Sequence, residues 1–441
     1  MRYFVLRIAL FVLLFASVAG FGQESSSNPE PLSSAAEAAA APQSVSAEVV
    51  EAEASIVKSD WKAAEAKLTT WLAAHPVDAR ALFDAAYVAD AQNRLNDALG
   101  LYRRAVAANP LSFEAHVELG LLLARQGKPA EARQELAAAT QLDPGEAGTS
   151  AKAKAWRALA EIDRADDPAG ASEDLLEALK LSPETEDDTL LAASLADQAG
   201  QAAAAETAYR RILAKNPKSA PANAGLAHLL IAHKQFPEAE TFLRAALVQS
   251  PEDMALTTQL AAVLAAEDKA EALPLFQKLH STYPGNATIT RMLAEVLADS
   301  GDAASSDKLF IGLLAASPAD SDLLVAHGQN LIHLLKYAEA YATFDKVTQL
   351  DSTNADGWSG LAFTASKTNR PSVTLHALVM RSKYLPEVSS TYFLWAEAYD
   401  ALHDKASAAA YYHHFLDSSA GKDPELESQA RQRLQLLEGR K

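Results

Sequence analysis

The residues with the greatest potential for acid–base or metal chemistry are the 11 histidines and 57 acidic residues of this 441-residue chain. His228 and His233 are five residues apart and His327 and His333 are six apart, whereas two ligands on one helical face need a spacing of three or four. The sequence contains no H-E-x-x-H, no phosphate-binding glycine loop and no G-x-S-x-G. It also contains no cysteine, which excludes disulfides, Cys-ligated metals and a thiol nucleophile. We therefore predict no catalytic residue, no metal site and no cofactor.

Charge and composition exclude further classes. With 39 basic against 57 acidic residues, the formal net charge is -18, which disfavours sequence-independent binding to nucleic acid. Apolar residues make up 49% of the chain, too many for a globally disordered protein. Only 7% are aromatic, and the abundance of Ala and Leu indicates closely packed helices rather than a β-rich core.

The first twenty residues predict a secretory signal peptide. Arg2 and Arg7 flank an apolar run from Ile8 to Ala19, and the small residues at its end suit cleavage after Ala19 or Gly20. The run is shorter than the roughly 20 residues of a spanning helix; an uncleaved anchor is the alternative interpretation. Cleavage would remove two arginines and no acid, leaving a net charge of -20.

Residues 21–42 are rich in Ser, Ala, Glu and Pro and have almost no large apolar side chain. Such a segment cannot bury enough surface to offset its ordering entropy, so we predict a flexible tether. Signal and tether together predict an exported protein of the periplasm or cell envelope. No second long apolar run follows, so we expect no transmembrane domain after signal cleavage.

From residue 43 a fixed period organises the sequence. Proline recurs every 33 or 34 residues, with one interval of 39, and Ser352 stands at the one missing place. These marker prolines are Pro76, Pro110, Pro144, Pro183, Pro217, Pro251, Pro284, Pro318 and Pro386.

A pair of side chains keeps the same phase. Twelve residues before each marker stands a small residue, usually Ala, and four residues later a large apolar one. Positions i and i+4 share one helical face, so the small residue lets a second helix approach and the large one fills the gap. The large residues are Leu68, Tyr102, Leu136, Leu175, Tyr209, Leu243, Phe276, Phe310, Phe344, Leu378 and Tyr412.

The first half of each unit has its own pattern, a Leu followed by a small residue, as in Leu119-Gly120 and Leu361-Ala362. Turn signals such as Gly127 separate the halves, because Gly after a helical pattern marks a helix end. Each unit is therefore predicted to be a helix, a tight turn and a second helix.

The 34-residue period and the W-x2-L-G-x2-Y … A-x3-F … P pattern resemble the tetratricopeptide repeat (TPR) family. The last unit carries the pattern at Tyr392, Trp395, Ala396, Tyr399, Ala408, Tyr412 and Ala420. The resemblance implies an all-α, right-handed superhelical α-solenoid of about eleven units within residues 43–420, nine being the lower count. Residues 421–441 would form a capping helix and tail.

The resemblance also places partner-binding residues on the first helix of each unit, at positions not used for hairpin packing. These candidate groove residues are Arg80, Phe83, Tyr87, Asp90, Arg157, Glu161, His228, Arg291, Glu295, Gln329, His333, Phe363, Phe393 and Glu397.

Blander interpretations exist for several of these residues. Phe83 and Phe363 would instead pack between adjacent repeats. Arg157 and Glu161 are spaced to pair along one helix, as are Arg291 and Glu295. The Lys and Asn clamp that some family members use for a peptide's terminal carboxylate is not visible.

We predict from this an exported, non-catalytic interaction scaffold that binds partner proteins or peptides in the concave groove. Two alternatives are a periplasmic component of polysaccharide synthesis or export machinery, and an adaptor of a separate envelope enzyme. The acidic charge disfavours nucleic acid and anionic lipid and mildly favours basic partners. The oligomeric state stays open.

Overall fold

The computed structural model describes residues 46–439, so the predicted signal peptide and tether lie outside the described residues. The described chain is all-α and falls into two compact units. The N-terminal unit ends at Lys234 and the C-terminal unit begins at Gln235. Within this range no helix is both long enough and apolar enough to cross a membrane.

Eleven helices build the described part of the N-terminal unit, as five hairpins followed by α11. Their bounds are α1 Ala47–Val57, α2 Trp61–Ala74, α3 Ala79–Ala91, α4 Leu95–Ala108, α5 Phe113–Arg125, α6 Pro129–Gln141, α7 Gly148–Asp163, α8 Pro168–Leu181, α9 Glu186–Gln198, α10 Ala202–Lys215 and α11 Ala220–Ala232.

Twelve helices build the described part of the C-terminal unit, as α12, five hairpins and a final helix α23. Their bounds are α12 Phe236–Gln249, α13 Met254–Ala266, α14 Ala272–Thr282, α15 Ala287–Asp299, α16 Ala303–Ala316, α17 Ser321–His333, α18 Tyr337–Leu350, α19 Ala355–Lys367, α20 Pro371–Arg381, α21 Ser389–Ala401, α22 Lys405–Ser419 and α23 Pro424–Leu437. The prediction of an all-α array of about eleven helix-turn-helix units is confirmed by this helix count.

The N-cap residue of a first helix commonly lies two residues after the marker position, and its side chain caps the helix. Asp78 Oδ1 accepts from the backbone N–H of Ala81, and Asn354 Oδ1 accepts from that of Gly357. Asp and Asn satisfy N–H groups that have no partner inside the helix. The markers thus precede a helix start that is fixed by local chemistry.

The unit with the long interval departs from the others. The residues after Pro144 form a 3₁₀ turn at Gly145–Ala147, and α7 then runs for 16 residues where most first helices have 13. The extra residues therefore mostly lengthen a helix instead of forming a separate loop.

The predicted small and large side chains are buried where the helices cross. Phe344 on α18 is 1% exposed, and its ring lies against Gly328 of its own hairpin and Gly360 of the next. A Cβ on Gly360 would come within 2.3 Å of Phe344 Cε1, well inside van der Waals contact. The absence of a side chain at Gly360 therefore sets how closely α19 approaches α18.

Most hairpin turns contain one residue with a left-handed backbone. Glycine takes this place at Gly200 (φ 71°) and Gly301 (φ 95°), but the equivalent residue of the α17–α18 turn is Leu335 (φ 59°). The Lys336 N–H donates to the Leu331 carbonyl at 2.9 Å, the long bond that ends a helix in a Schellman motif. Turn geometry is thus kept even where the residue is unfavourable.

Within each unit, the first helices of neighbouring hairpins touch one another. Such contacts join α1 to α3 and α5 to α7 in the N-terminal unit, and α15, α17, α19 and α21 in series in the C-terminal unit. The first helices therefore lie close enough for their side chains to interact from one hairpin to the next.

We predict that Gly360→Ala destabilises the protein by about 1–3 kcal/mol, because Phe344 is held between two helices and cannot retreat from the added methyl group. Gly312→Ala is the matched control, since its Cβ would meet nothing within 4 Å and Ala favours a helix interior by about 0.5–1 kcal/mol. Urea unfolding followed by circular dichroism should give opposite shifts in the midpoint. Equal shifts would contradict the close-approach argument.

We predict that Leu335→Gly stabilises the α17–α18 turn by up to about 1 kcal/mol, because Gly adopts a left-handed backbone without the steric cost a leucine carries. Leu335 is 69% exposed, so little packing is lost. Ile311→Gly, at an exposed position inside α16, should instead destabilise by about 0.5–1 kcal/mol. Amide hydrogen exchange at Lys336 measures the local effect, and faster exchange in Leu335→Gly would disprove it.

Candidate functional site

The candidate groove residues all lie on first helices. Those of the N-terminal unit lie on α3, α7 and α11, and those of the C-terminal unit lie on α15, α17, α19 and α21.

Ion pairs connect the first helices of the N-terminal unit. Arg80 on α3 pairs with Glu53 on α1, and Arg125 on α5 pairs with Asp90 on α3. These partners are about one repeat apart in sequence, so each pair joins two hairpins. Both candidate residues in these pairs, Arg80 and Asp90, are thus already engaged within the protein.

Arg157 on α7 also pairs with a carboxylate on a neighbouring hairpin. Its guanidinium donates to both carboxylate oxygens of Asp188 on α9, at 2.6 and 2.8 Å. The expected pairing of Arg157 with Glu161 is therefore wrong, and Glu161 instead lies 3.2 Å from Arg164. The buried Asp188 is a better partner than Glu161 because it is held in place at the start of α9 by its own bond from the Thr185 N–H.

The last candidate of this unit, His228 on α11, lies 3.8 Å from Asp197 on α9. This is longer than a hydrogen bond. The imidazole is about one-third exposed, so it stays accessible at this surface.

The two aromatic candidates on α3 differ in burial. Phe83 is partly buried and meets Tyr102 edge to face at 5.7 Å between ring centroids. Tyr87 is 42% exposed and meets Trp61 at 6.3 Å. Phe83 is thus a packing residue, as its blander interpretation holds, whereas Tyr87 keeps part of its ring at the surface.

One carboxyl of this unit, that of Asp84, is buried in the protein and is not among the candidate residues predicted from the sequence. Asp84 on α3 is 9% exposed, and its Oδ2 has no hydrogen-bond partner. Burial, and then the negative charge of Glu53, raises the pKa of Asp84 to about 7, although Arg80 opposes the shift. The fold therefore favours the protonated form of this side chain.

In the C-terminal unit, Arg291 and Glu295 pair along α15 at 2.9 Å, as their spacing predicts. Gln329 and His333 lie on α17. Phe363 on α19 meets Tyr337, the first residue of α18, at 6.2 Å, so it also packs against the neighbouring repeat.

Phe393 on α21 does not fit its prediction as a partner-binding groove residue. It is 7% exposed and lies against Phe415 at 5.1 Å and Tyr412 at 5.9 Å. The capping helix α23 covers the same cluster with Leu434. Phe393 is buried because the last hairpin packs its aromatic face under α23.

A pocket of about 610 Å³ lies beside this cluster, between α19, α21 and α23. Its volume is within the range of ligand sites, about 300–1,000 Å³. The lining includes Ser366, Asn369, Arg370, Pro371, Thr374, Phe393, Glu397, Asp400, Tyr412, Gln429 and Arg433. Polar groups from the five helices α19 to α23 and from the α19–α20 turn thus face a common space.

Glu397 is the polar candidate groove residue that lines this pocket. Its Oε2 accepts a hydrogen bond from the Ser366 hydroxyl on α19 at 3.1 Å. Burial raises the pKa of Glu397, and Asp400 adds to that effect, whereas Ser366 and Lys367 oppose it. Glu397 is the most distinctive chemical group of the pocket because it is partly buried and also faces a ligand-sized space.

Asp400 and Arg433 form the opposite part of the lining. The Arg433 guanidinium on α23 donates to both Asp400 oxygens at 2.7 Å, a bidentate geometry that holds both side chains in place. Each charged group is thereby neutralised by the other. The pair fixes α23 against α21 and bounds the pocket.

Sequence reasoning placed Glu397 correctly on α21 but missed Ser366, Arg370 and Arg433. Ser366 lies near the end of α19, and Arg370 lies in the turn between α19 and α20. Arg433 lies on the final helix α23. A repeat pattern gives the phase of each residue within its own unit. It does not say which residues of other units share a pocket.

We found no group of three or more His, Cys, Asp or Glu side chains arranged to hold a metal ion among residues 46–439. Two histidines from the widely spaced pairs of the sequence, His233 and His327, have different hydrogen-bond partners. His327 bonds to the buried Asp307 at 2.8 Å, whereas His233 bonds to the Leu229 carbonyl of its own helix.

We predict that Asp84→Asn stabilises the protein at pH 8 and reduces its pH dependence between pH 4 and 7. A folded-state pKa of about 7, against an ordinary value of 3.8, means that the folded state binds the proton more tightly. Its stabilising effect is complete below pH 4 and is lost as the pH rises through 7. Asn imitates the protonated form at every pH. Urea midpoints at pH 5 and pH 8 measure the difference.

The control is Glu252→Gln at an exposed carboxyl between α12 and α13, which should leave the pH dependence close to that of the wild type. An Asp84→Asn variant whose midpoint falls with pH as steeply as the wild type would disprove the role of Asp84.

Comparison with known protein families identifies the tetratricopeptide repeat in two segments of the chain. A family profile described as tetratricopeptide repeat matches residues 50–110 and 83–147, and a second profile of that description matches residues 196–262. No curated protein matches the chain.

Several solved structures are similar at low identity. YrrB, described as a TPR protein with an unusual peptide-binding site, is 18% identical, with 42% of this chain and 95% of YrrB covered and a TM-score of 0.37. The TPR domain of P58(IPK) is 15% identical, with 88% and 98% covered and a TM-score of 0.37. Yeast Tom70 is 14% identical, with 81% and 89% covered and a TM-score of 0.37. We conclude that residues 50–147 and 196–262 contain tetratricopeptide repeats and that the helix count of the described residues is consistent with about eleven such units.

Proposed function

We propose that this protein is an exported, non-catalytic scaffold that holds a partner protein or peptide, and that the pocket between α19, α21 and α23 is a main contact. Tetratricopeptide repeats are typical of protein-interaction scaffolds. A repeat array presents surface from many short units, which suits an extended partner.

The observation that carries the proposal is the polar pocket beside Glu397. Hydrogen-bonding groups from Ser366, Asn369 and Gln429 face the same 610 Å³ space. A ligand-sized cavity with convergent polar groups is a candidate binding site, because such groups fix the orientation of a bound molecule. The exposed Tyr87 ring and the accessible His228 add contacts of the kind that hold a peptide.

Export rests on the N-terminal sequence, in which two arginines, an apolar run and small residues suit a signal peptide. A non-catalytic role rests on the sequence motifs and on the repeats, which fill the chain from α1 to α22. Edman sequencing of the protein isolated from its host tests the signal. A mature N-terminus at Gly20 or Phe21 supports cleavage, and an intact Met1 contradicts it.

A role in polysaccharide handling is the second candidate. It would need aromatic rings whose faces are open to a sugar, but Phe393 is buried and Phe363 packs against Tyr337. We therefore rank it below the protein scaffold. An adaptor for a separate envelope enzyme is a special case of the scaffold, in which the partner is an enzyme.

We predict that a photo-crosslinking residue at Gln429, which lines the pocket, gives a discrete protein adduct in intact cells. The matched control is Gln435, an exposed glutamine on the same helix that does not line the pocket. Mass spectrometry of the adduct then identifies the partner.

An adduct of equal yield at both positions would contradict a role for the pocket. If neither position, nor Tyr87 or His228 as further sites, gave any protein adduct, the scaffold function itself would be contradicted.

A further inference from the structure

The Glu397 carboxyl forms no ion pair among the described residues, although the charge of Lys367 acts on it and lowers its pKa. It is partly buried on α21, and the Ser366 hydroxyl is a neutral donor to its Oε2. Among the described residues, no Lys, Arg or His forms an ion pair with it. A partly buried carboxylate without a cation is destabilised relative to one in water.

Three cations near the pocket, Arg433, Arg370 and Lys367, have contacts with other groups. Arg433 gives two bonds to Asp400, and the Arg370 guanidinium lies 4.2 Å from the centre of the Tyr341 ring. The Lys367 ammonium lies over the Phe363 ring at 5.5 Å. Each therefore has a stabilising contact that it would have to leave in order to neutralise Glu397.

The surroundings of Glu397 suit the stem of a long basic side chain. Apolar or aromatic surface from Pro371, Phe393, Ala398 and Tyr412 lines the same pocket as the carboxyl. Lys and Arg bury an aliphatic stem while their charged end seeks a polar partner. The pocket thus offers both parts of such a site.

We propose that this pocket binds a lysine or arginine side chain of the partner, with the cationic end at the Glu397 carboxylate. This inference rests on the proposed scaffold function and names the chemistry that the partner must carry. The net charge of -18 favours the approach of a basic segment. Burial, the main cause of the raised pKa of Glu397, disfavours the ionised form in the empty pocket, and a bound cation would restore it.

The test uses the full chain and saturation-transfer NMR, which detects weak binding. The probes are four blocked heptapeptides, acetyl-Gly-Ser-Ala-Xaa-Ala-Ser-Gly-amide, in which Xaa is Lys, Arg, norleucine or Glu. We expect the Lys and Arg peptides to receive at least fivefold more saturation at their side-chain protons than the norleucine and Glu peptides. Norleucine has the lysine stem without the charge, so this comparison isolates the cation.

Matched variants assign the effect to one carboxyl. Glu397→Gln should abolish the preference while keeping the acceptor for Ser366, and Glu397→Asp should keep part of it. Glu339→Gln is the control, because Glu339 is an exposed carboxylate on α18 that does not line the pocket, and it should keep the full preference. Far-UV circular dichroism and the urea midpoint confirm that each variant is folded.

Equal saturation for all four peptides would overturn the inference, as would a preference that survives in Glu397→Gln. A preference for the Glu peptide that disappears in Arg370→Gln would also overturn it, by showing an acid-binding pocket. The two experiments separate this inference from the scaffold function. A crosslinked partner together with no preference of the pocket for Lys or Arg peptides would reject only this inference. A preference for Lys or Arg peptides without any crosslinked partner would reject the scaffold function but not the binding of a basic side chain in the pocket.

Discussion

The contact between a large side chain on one helix and a missing or minimal side chain on the next is the constraint on which the structure depends. Phe344 fills the space that Gly328 and Gly360 leave open, and Leu136 does the same against Gly120. Interiors pack to nearly crystalline density, so helices at such crossings can sit at only one distance. Because the contact recurs with the sequence period, one local geometry is repeated along each unit.

Close approach of the helices has an electrostatic consequence. Charged side chains on neighbouring first helices are brought within reach of each other, and Arg80, Arg125 and Arg157 each find a carboxylate on the adjacent hairpin. A pair whose members are partly exposed, such as Arg80 with Glu53, contributes about 0–1 kcal/mol, less than the packing of a buried ring. The ion pairs therefore follow from the packing and orient the surface, and they do not hold the array together.

Among the described residues, the α21–α22 hairpin differs from the others because the single helix α23 packs on it. The helix α23 covers this hairpin by burying Ala430 and Leu434 against Phe415. The same helix offers Gln429 and Arg433 to the pocket beside Glu397. One amphipathic helix thus completes the core and contributes to the candidate site, which explains why this site occurs at the C-terminal end.

Much of the fold could be predicted because its signals are local. The small and large residues at i and i+4 share a helical face by helix geometry alone, and all the large ones are buried, from Leu68 to Tyr412. Turn positions were visible where Gly127 marks them, but Leu335 takes the same left-handed backbone without any local preference for it. At that turn the tertiary packing of α17 on α18 outweighs the residue's own cost.

The sequence by itself determined the period, the helix pairs and the helical phase of each candidate residue. Only the tertiary structure decided which side chains meet: it paired Arg157 with Asp188 instead of Glu161, buried Phe393, and brought Arg433 to Asp400 across 33 positions of sequence. The physical reason is that helical phase depends on a fixed rise and rotation per residue. The neighbours of a surface side chain depend instead on the rotation and translation between packed hairpins, which arise from the sum of many side-chain contacts along the helix crossings.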